Sequence, residues 1–172
     1  MYSLRSIKNK PIILVALEEE LPKSLLPEFK IEYMGVGKIN ATYKTLEVIQ
    51  KYNPQIIINF GTAGTLNRNI TGLNEIMIFK QRDMDASRLG FKVGETPFDN
   101  ISTIKFCDNG LSCGTGDNFV TKKPKVETDL VDMEAYAIAK ICLIKKINFK
   151  CFKYVSDNAD ENAGDNWKKN IN

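Results

Sequence analysis

Gln55-Ile56-Ile57-Ile58-Asn59-Phe60, followed at once by Gly61-Thr62-Ala63-Gly64, is the stretch whose reading decides the fold. Pro54 separates it from what precedes. A short apolar run without alternation reads as a strand buried on both faces, and the switch to small residues reads as a turn at its carboxyl end. Upstream, Pro11-Ile12-Ile13-Leu14-Val15-Ala16-Leu17 has the same character and stops at Glu18-Glu19-Glu20. Between the two runs, residues 31–36 predict a second strand that ends at Gly35 and Gly37. Asn40 then suits the cap of a helix reaching about Tyr52.

Downstream, strands are expected over Leu73–Phe79, Thr103–Cys107 and Phe149–Val155, making six in all. Residues 80–100 read as a long polar loop. Asp132–Ile147 reads as a helix apolar nearly all round, and so sandwiched rather than lying on the surface. Ser156–Gly164 reads as a loop, Trp167–Asn172 as at most one or two helical turns, and residues 1–10 as a loose lead-in. Strand and helix patterns alternate, which predicts an α/β fold around a mostly parallel or mixed sheet. With no repeat and no Pro/Ser linker, residues 1–172 are expected to form a single domain.

The 172 residues carry 24 Lys+Arg against 21 Asp+Glu, a net charge of +3 with no histidine. So weak and dispersed a positive charge, with no basic stripe interleaved with aromatics, gives no reason to expect nucleic acid as a partner. The missing histidine excludes Ser-His-Asp and Cys-His nucleophiles, HExxH metal sites and any imidazole acid or base. Cys107, Cys113, Cys142 and Cys151 form no CxxC, so no metal site is expected. Cys142 and Cys151 read as small buried hydrophobes. Without a disulfide framework, signal peptide or membrane-length apolar run, a cytoplasmic protein that does not enter the membrane is expected.

In open α/β sheets ligands bind beyond the carboxyl ends of strands. Three such ends carry unusual residues: Glu18-Glu19-Glu20, Gly61-Thr62-Ala63-Gly64 and Ser156-Asp157-Asn158-Ala159-Asp160. Each also has an ordinary reading, as an exposed helical first turn, a glycine turn and a capped turn respectively. Glu134 is more pointed, because helical spacing puts it on one stripe with Ile138 and Ile141. A carboxylate there is costly unless something hydrogen-bonds to it. Several separated carboxylates with no histidine suit glycosyl chemistry, where the cation-like sugar needs an acid, a water-orienting base and a group to hold hydroxyls.

The motifs Val15-Ala-Leu-Glu-Glu-Glu20, Gly35-Val-Gly-Lys-Ile-Asn-Ala41, Asn59-Phe-Gly-Thr-Ala-Gly64, Arg82-Asp-Met-Asp85 with Gly90-Phe91, Gly116-Asp-Asn-Phe-Val120, Val131-Asp-Met-Glu134 and Ser156-Asp-Asn-Ala-Asp160 occur in that order. The order resembles the purine nucleoside phosphorylase superfamily, and most of all its 5′-methylthioadenosine/S-adenosylhomocysteine nucleosidase branch, over residues 11–167. The resemblance implies a three-layer α/β/α sandwich around a mixed sheet, no cofactor, and hydrolysis of an N-glycosidic bond that releases adenine. By resemblance, Asp157 is the general acid at purine N7 with Ser156 beside it, and Glu20 positions the attacking water. Glu134 holds the ribose hydroxyls and Met133 packs under the sugar. Phe119 stacks on the base, Val120 bonds its edge through the backbone, and Trp167 closes over it. Thr62, Ala63 and Gly64 line the ribose side. The resemblance also implies a homodimer, with a neighbouring subunit covering the 5′ substituent through Ala86, Leu89, Phe91 and Pro97.

The chain departs from the family in two shortened connections, Pro97–Gly114 and Val120–Met133, and in its overall length. Lys153 stands where the family places an arginine near the site, keeping the charge without the fork, and by resemblance it is counted among the substrate-binding residues. The chemistry requires a protonated Asp157 and an ionised Glu20, hence two distinct environments. Other purine nucleosides (futalosine, 5′-deoxyadenosine, inosine), a phosphate-dependent reaction, and a non-catalytic nucleoside-binding protein are the competing readings.

Overall fold

The computed structural model describes residues 11–161 and 163–170, the side chains of residues 166, 168 and 170 excepted. The lead-in expected over residues 1–10 lies outside them, as do residues 171 and 172. Among the described residues eight strands form one mixed sheet: β1 (Ile12–Val15), β2 (Lys30–Tyr33), β3 (Ile56–Thr65), β4 (Leu73–Gln81), β5 (Thr103–Lys105), β6 (Leu111–Thr115), β7 (Leu130–Asp132) and β8 (Asn148–Asp157). Three α-helices accompany it: α1 (Lys38–Tyr52), α2 (Ala135–Lys145) and α3 (Ala163–Asn170). This is the α/β class with a mixed sheet that the sequence predicts.

The strand order is β2-β1-β3-β7-β6-β4-β5, with β8 pairing both β3 and β4. The pairs β3–β7, β7–β6, β6–β4, β4–β8 and β8–β3 therefore close a ring of five strands. β1 is parallel to both β2 and β3, and β3 is parallel to β8, so the carboxyl ends of β1, β3 and β8 share one side of the sheet.

β1 is buried on both faces, as its apolar run predicts. Ile12 and Leu14 join the main core with Ala41 and Val48 of α1 and Ala135–Ala139 of α2. Ile13 and Val15 point the other way, against Ile31, Leu21, Leu26 and Phe29. That second face is covered at β1 and β2 by the Leu21–Phe29 segment with its 3₁₀ turn at Lys23–Leu25, not by a long helix.

Several boundaries differ from the sequence reading. Gly61-Thr62-Ala63-Gly64 is not a turn: β3 continues through it to Thr65 because β8 pairs with it residue by residue. Likewise Ser156 and Asp157 end β8 rather than following it. α1 starts at Lys38 with Gly37 as its cap, so Asn40 lies inside the first turn and its amide donates back to the Val36 carbonyl at 2.7 Å. Gly37 has φ +95°, a conformation open to glycine. The count of six strands misses β6 and β7, which are too short and too rich in small or polar residues to stand out. In α2 the amino-terminal half is buried, but Leu143 and Ile144 are 43% and 54% exposed, so the sandwiching applies only to the first turns.

Candidate active site

The carboxyl ends of β1, β3 and β8 open onto a cavity of about 290 Å³. Glu20 is carried there by the 3₁₀ turn Glu18–Glu20 just after β1. Its Oε1 accepts the Thr62 N–H at 2.8 Å and the Thr62 hydroxyl at 2.6 Å, and its Oε2 accepts the Leu17 N–H at 3.3 Å. Thr62 Oγ1 in turn accepts the indole N–H of Trp167 on α3 at 2.9 Å. A Cβ on Gly61 would stand 3.3 Å from Glu20 Oε1 and 3.5 Å from Lys153 Nζ. Glycine at this position thus lets both charges approach β3.

Asp157 reaches the cavity through an irregularity in the sheet. β3 and β8 keep register from Ile56/Asn148 to Ala63/Val155, and then Gly64 pairs with Asp157. Ser156 is the extra residue. Such a bulge re-aims the following side chain. Asp157 Oδ1 accepts the Ala159 N–H at 2.8 Å and Oδ2 accepts the Ser156 hydroxyl at 2.8 Å.

Glu134 is not on a helical stripe with Ile138 and Ile141. It precedes α2 as its cap residue, with φ −136°, which turns its carboxylate away from the helix and into the cavity. There Oε1 accepts the Gly37 N–H at the start of α1, at 2.8 Å. Burial and the nearby Asp132 charge push its carboxyl up to about 7, against the pull of Lys153 and the Gly37 N–H.

Beneath Glu134 lies a buried hub of which the sequence reading singles out only Lys153. Asp132 ends β7. Its Oδ2 accepts the N–H groups of Glu134 (3.2 Å) and Ala135 (2.7 Å), capping α2, and pairs with Lys153 Nζ at 2.9 Å. Its Oδ1 accepts the Thr115 hydroxyl at 2.5 Å, while Thr115 Oγ1 accepts the Tyr136 N–H. Burial alone would raise the Asp132 carboxyl, but Lys153 beside it holds it below the usual range. Burial alone would lower the Lys153 ammonium, but Asp132 holds it above the usual range. Lys153 is 2% exposed and does not line the cavity. The expectation of direct substrate contact by Lys153 is therefore corrected to an ion pair behind the site, because β8 alternation turns it inward.

The other predicted residues divide in two. Met133, Phe119, Val120, Ser156, Thr62, Ala63, Gly64 and Trp167 all line the cavity with the three carboxylates. Phe119 is half-exposed and meets Trp167 edge-on at 6.4 Å between ring centroids. Ala86, Leu89, Phe91 and Pro97 line neither that cavity nor its neighbour. Leu89 lies on a 3₁₀ turn (Ser87–Leu89) and is 70% exposed, and Phe91 packs edge-on against the almost fully exposed Phe98. Arg82 and Asn118 line the cavity without having been predicted. Arg82 stood in a quoted motif, but its partners are 32 to 50 residues away. Among the described residues no group of three or more Cys, Asp or Glu side chains could hold a metal ion, and no helix is long and apolar enough to cross a membrane.

Comparisons with known proteins agree with this architecture. No family model matches the chain. A curated relative, the 5′-methylthioadenosine/S-adenosylhomocysteine nucleosidase of Buchnera aphidicola subsp. Schizaphis graminum, is 32% identical over a 166-residue alignment covering 80% of this chain and 69% of the relative. Among solved structures, the Helicobacter pylori enzyme of the same name, complexed with an aminopyrrolopyrimidine-bearing pyrrolidinol, superposes with TM-score 0.85. It is 21% identical, with 95% of this chain and 91% of that chain covered. Helicobacter pylori futalosine hydrolase also gives 0.85, at 20% identity and with 97% and 92% covered. These two structures speak for the fold, whereas the Buchnera relative carries the family: the chain belongs to the 5′-methylthioadenosine/S-adenosylhomocysteine nucleosidases.

Proposed function

We propose that this chain hydrolyses the N-glycosidic bond of 5′-methylthioadenosine, S-adenosylhomocysteine or both, releasing adenine and a 5-thioribose. The observation that carries the proposal is the convergence of Glu20, Glu134 and Asp157, from three separate elements, on one cavity roofed by Phe119 and Trp167.

In this reading Asp157, protonated, gives its proton to purine N7 as the C1′–N9 bond breaks. The ribose becomes cation-like, and the ionised Glu20 stabilises it and orients the water that attacks C1′. The water's proton passes to Glu20. Glu134 accepts hydrogen bonds from the ribose 2′- and 3′-hydroxyls, with Met133 under the ring. Phe119 stacks on the base, the Val120 backbone reads its edge, and Thr62, Ala63, Gly64 and Ser156 complete the walls. Trp167 closes over the base, its indole tied to Thr62. Lys153 acts through Asp132 and the α2 cap.

Hydrolysis is favoured over phosphorolysis by the Thr62 geometry. The N–H and hydroxyl that would serve a phosphate already bind Glu20, and a carboxylate repels an anion placed there. A second copy of the chain completes the 5′ pocket through Ala86, Leu89, Phe91 and Pro97, of which Leu89 is exposed and the other three are half-buried, so that apolar surface is left for such a contact. The active form in this reading is a single-domain protein in a cytoplasmic homodimer, serving methionine salvage.

The test is adenine release from 5′-methylthioadenosine, followed by chromatography with and without phosphate, with futalosine and inosine as parallel substrates. Phosphate-independent release with free methylthioribose is the expected result. Release only with phosphate would make the protein a phosphorylase and remove Glu20 from its water role. Release from futalosine or inosine alone would move the substrate class, and no release at all would leave a binding protein.

A further inference from the structure

We infer that Arg82 is a positioning residue for the base-binding side of this site: its guanidinium fixes the Gly116–Val120 strap so that Phe119 stands over the cavity. The inference rests on the nucleosidase reading above and deepens it.

Arg82 follows β4 and is only 8% exposed. Its Nε–H donates to the Gly114 carbonyl at 3.2 Å, Nη1 donates to Asn118 Oδ1 at 2.7 Å, and Nη2 donates to the carbonyls of Gly116 (3.0 Å) and Asn118, with the Asp132 carbonyl further off at 3.5 Å. Every acceptor is a neutral oxygen. A buried guanidinium without a bonded carboxylate is costly, so the site retains it for what it organises. Asn118 is gripped twice, through its backbone and its side chain. Gly116 makes this possible, because a Cβ there would meet Arg82 Cζ and Nη1 at 2.9 Å.

The rest of the strap explains why such a grip matters. Val120 is anchored in a small apolar cluster with Val131 and Ala159. Phe119 lies between this anchor and Asn118 and is 50% exposed. Asn118, Phe119 and Val120 line both the main cavity and a second cavity of about 310 Å³. Half-exposed and, among the described residues, touching only the Trp167 ring of its aromatic neighbours, Phe119 is not held in position by core packing. Its two anchors hold it, and Arg82 supplies one of them.

The test uses Arg82→Met, Arg82→Lys and Asn118→Ala in the full chain. Steady-state hydrolysis of 5′-methylthioadenosine gives kcat and KM. Binding of the same nucleoside is measured in an Asp157→Asn background by emission of Trp167, the single tryptophan of the chain and the ring against which Phe119 rests. Arg82→Met and Asn118→Ala are expected to raise KM and Kd by about tenfold or more, leave kcat within about threefold, and change the unliganded emission. Arg82→Lys should not rescue, since one ammonium cannot serve acceptors spread along the strap. Unchanged KM, Kd and emission, with only a lower Tm, would overturn the inference. So would a fall in kcat at constant Kd. Should Arg82→Met not fold by circular dichroism, Asn118→Ala decides alone. Should the wild-type chain hydrolyse nothing, the nucleosidase reading fails, and emission titration with adenine still judges Arg82.

Discussion

Gly64 on β3 and Asp157 on β8 are so close that the Asp157 carboxylate fills the space a side chain on residue 64 would need. A Cβ built there stands 2.6 Å from Asp157 Oδ1 and 3.0 Å from the Ala159 Cβ. The proposed acid is thus held in place by the lack of a side chain on its neighbour. Gly64→Ala is expected to lower kcat by about a hundredfold through misplacement of Asp157, while thermal unfolding shows a folded protein. Near-wild-type kcat in a folded Gly64→Ala would mean that Asp157 does not need this position.

The two carboxylates proposed to flank the reacting bond are expected to fail differently from a mere loss of binding. Asp157→Asn and Glu20→Gln should each reduce kcat by about 10²–10⁴-fold with nucleoside affinity changed by no more than about tenfold. Isothermal titration with 5′-methylthioadenosine separates the two quantities. A variant that loses affinity as steeply as turnover would demote that residue from chemistry to binding.

Glu134 gives a pH signature. Its folded carboxyl titrates at about 7 against an ordinary 4.5, so the folded state holds a proton that the unfolded state has released between those values. The stabilising contribution of this group is therefore complete below about pH 4.5 and lost as pH rises through about 7. Glu134→Gln, which cannot charge, is expected to be more stable than wild type at pH 8 by about 1–3 kcal/mol, with the difference shrinking toward pH 5. Urea midpoints at the two pH values check this. In the wild type, the KM for nucleoside should rise as pH falls below 7, because a protonated Glu134 is a poorer acceptor for ribose hydroxyls.

The Asp132–Lys153 pair should behave as a unit. Lys153→Met leaves a buried, uncompensated carboxylate and is expected to cost about 3–5 kcal/mol. Asp132→Asn in the same chain should recover a substantial part of that loss. A double-mutant cycle in urea measures the coupling, and strict additivity would show that the two charges do not depend on each other.

Legibility from sequence followed the strength of each local signal. The runs at Ile12–Val15 and Ile56–Phe60 announce buried strands because nothing else places so many apolar residues together without a helical period. β6 and β7 escaped because Leu111-Ser-Cys-Gly-Thr and Leu130-Val-Asp are buried by ring closure, a long-range effect that leaves no local period. Gly61–Gly64 looked like a turn because glycine is a turn residue locally, whereas here it makes room for Glu20, Lys153 and Asp157. The carboxylates Glu20, Glu134 and Asp157 could be listed from their motifs. That Thr62, the Gly37 N–H and Asp132 aim them could not be read, because Glu20 and Thr62 are 42 residues apart and Glu134 and Gly37 are 97 apart. Arg82 was legible as a residue and illegible as a clamp for the same reason.

The place of β8 has a consequence for how the chain is made. Of the described strands it is the last in chain order, yet it inserts between β3 and β4, pairing with β3 from Ile56 to Gly64. Until residue 157 is synthesised, the Ile-rich β3 presents a full row of unpaired N–H and C=O groups. Such an edge is a template for pairing with another nascent chain. The strand that covers this edge is therefore also the one that delivers Asp157 to the cavity.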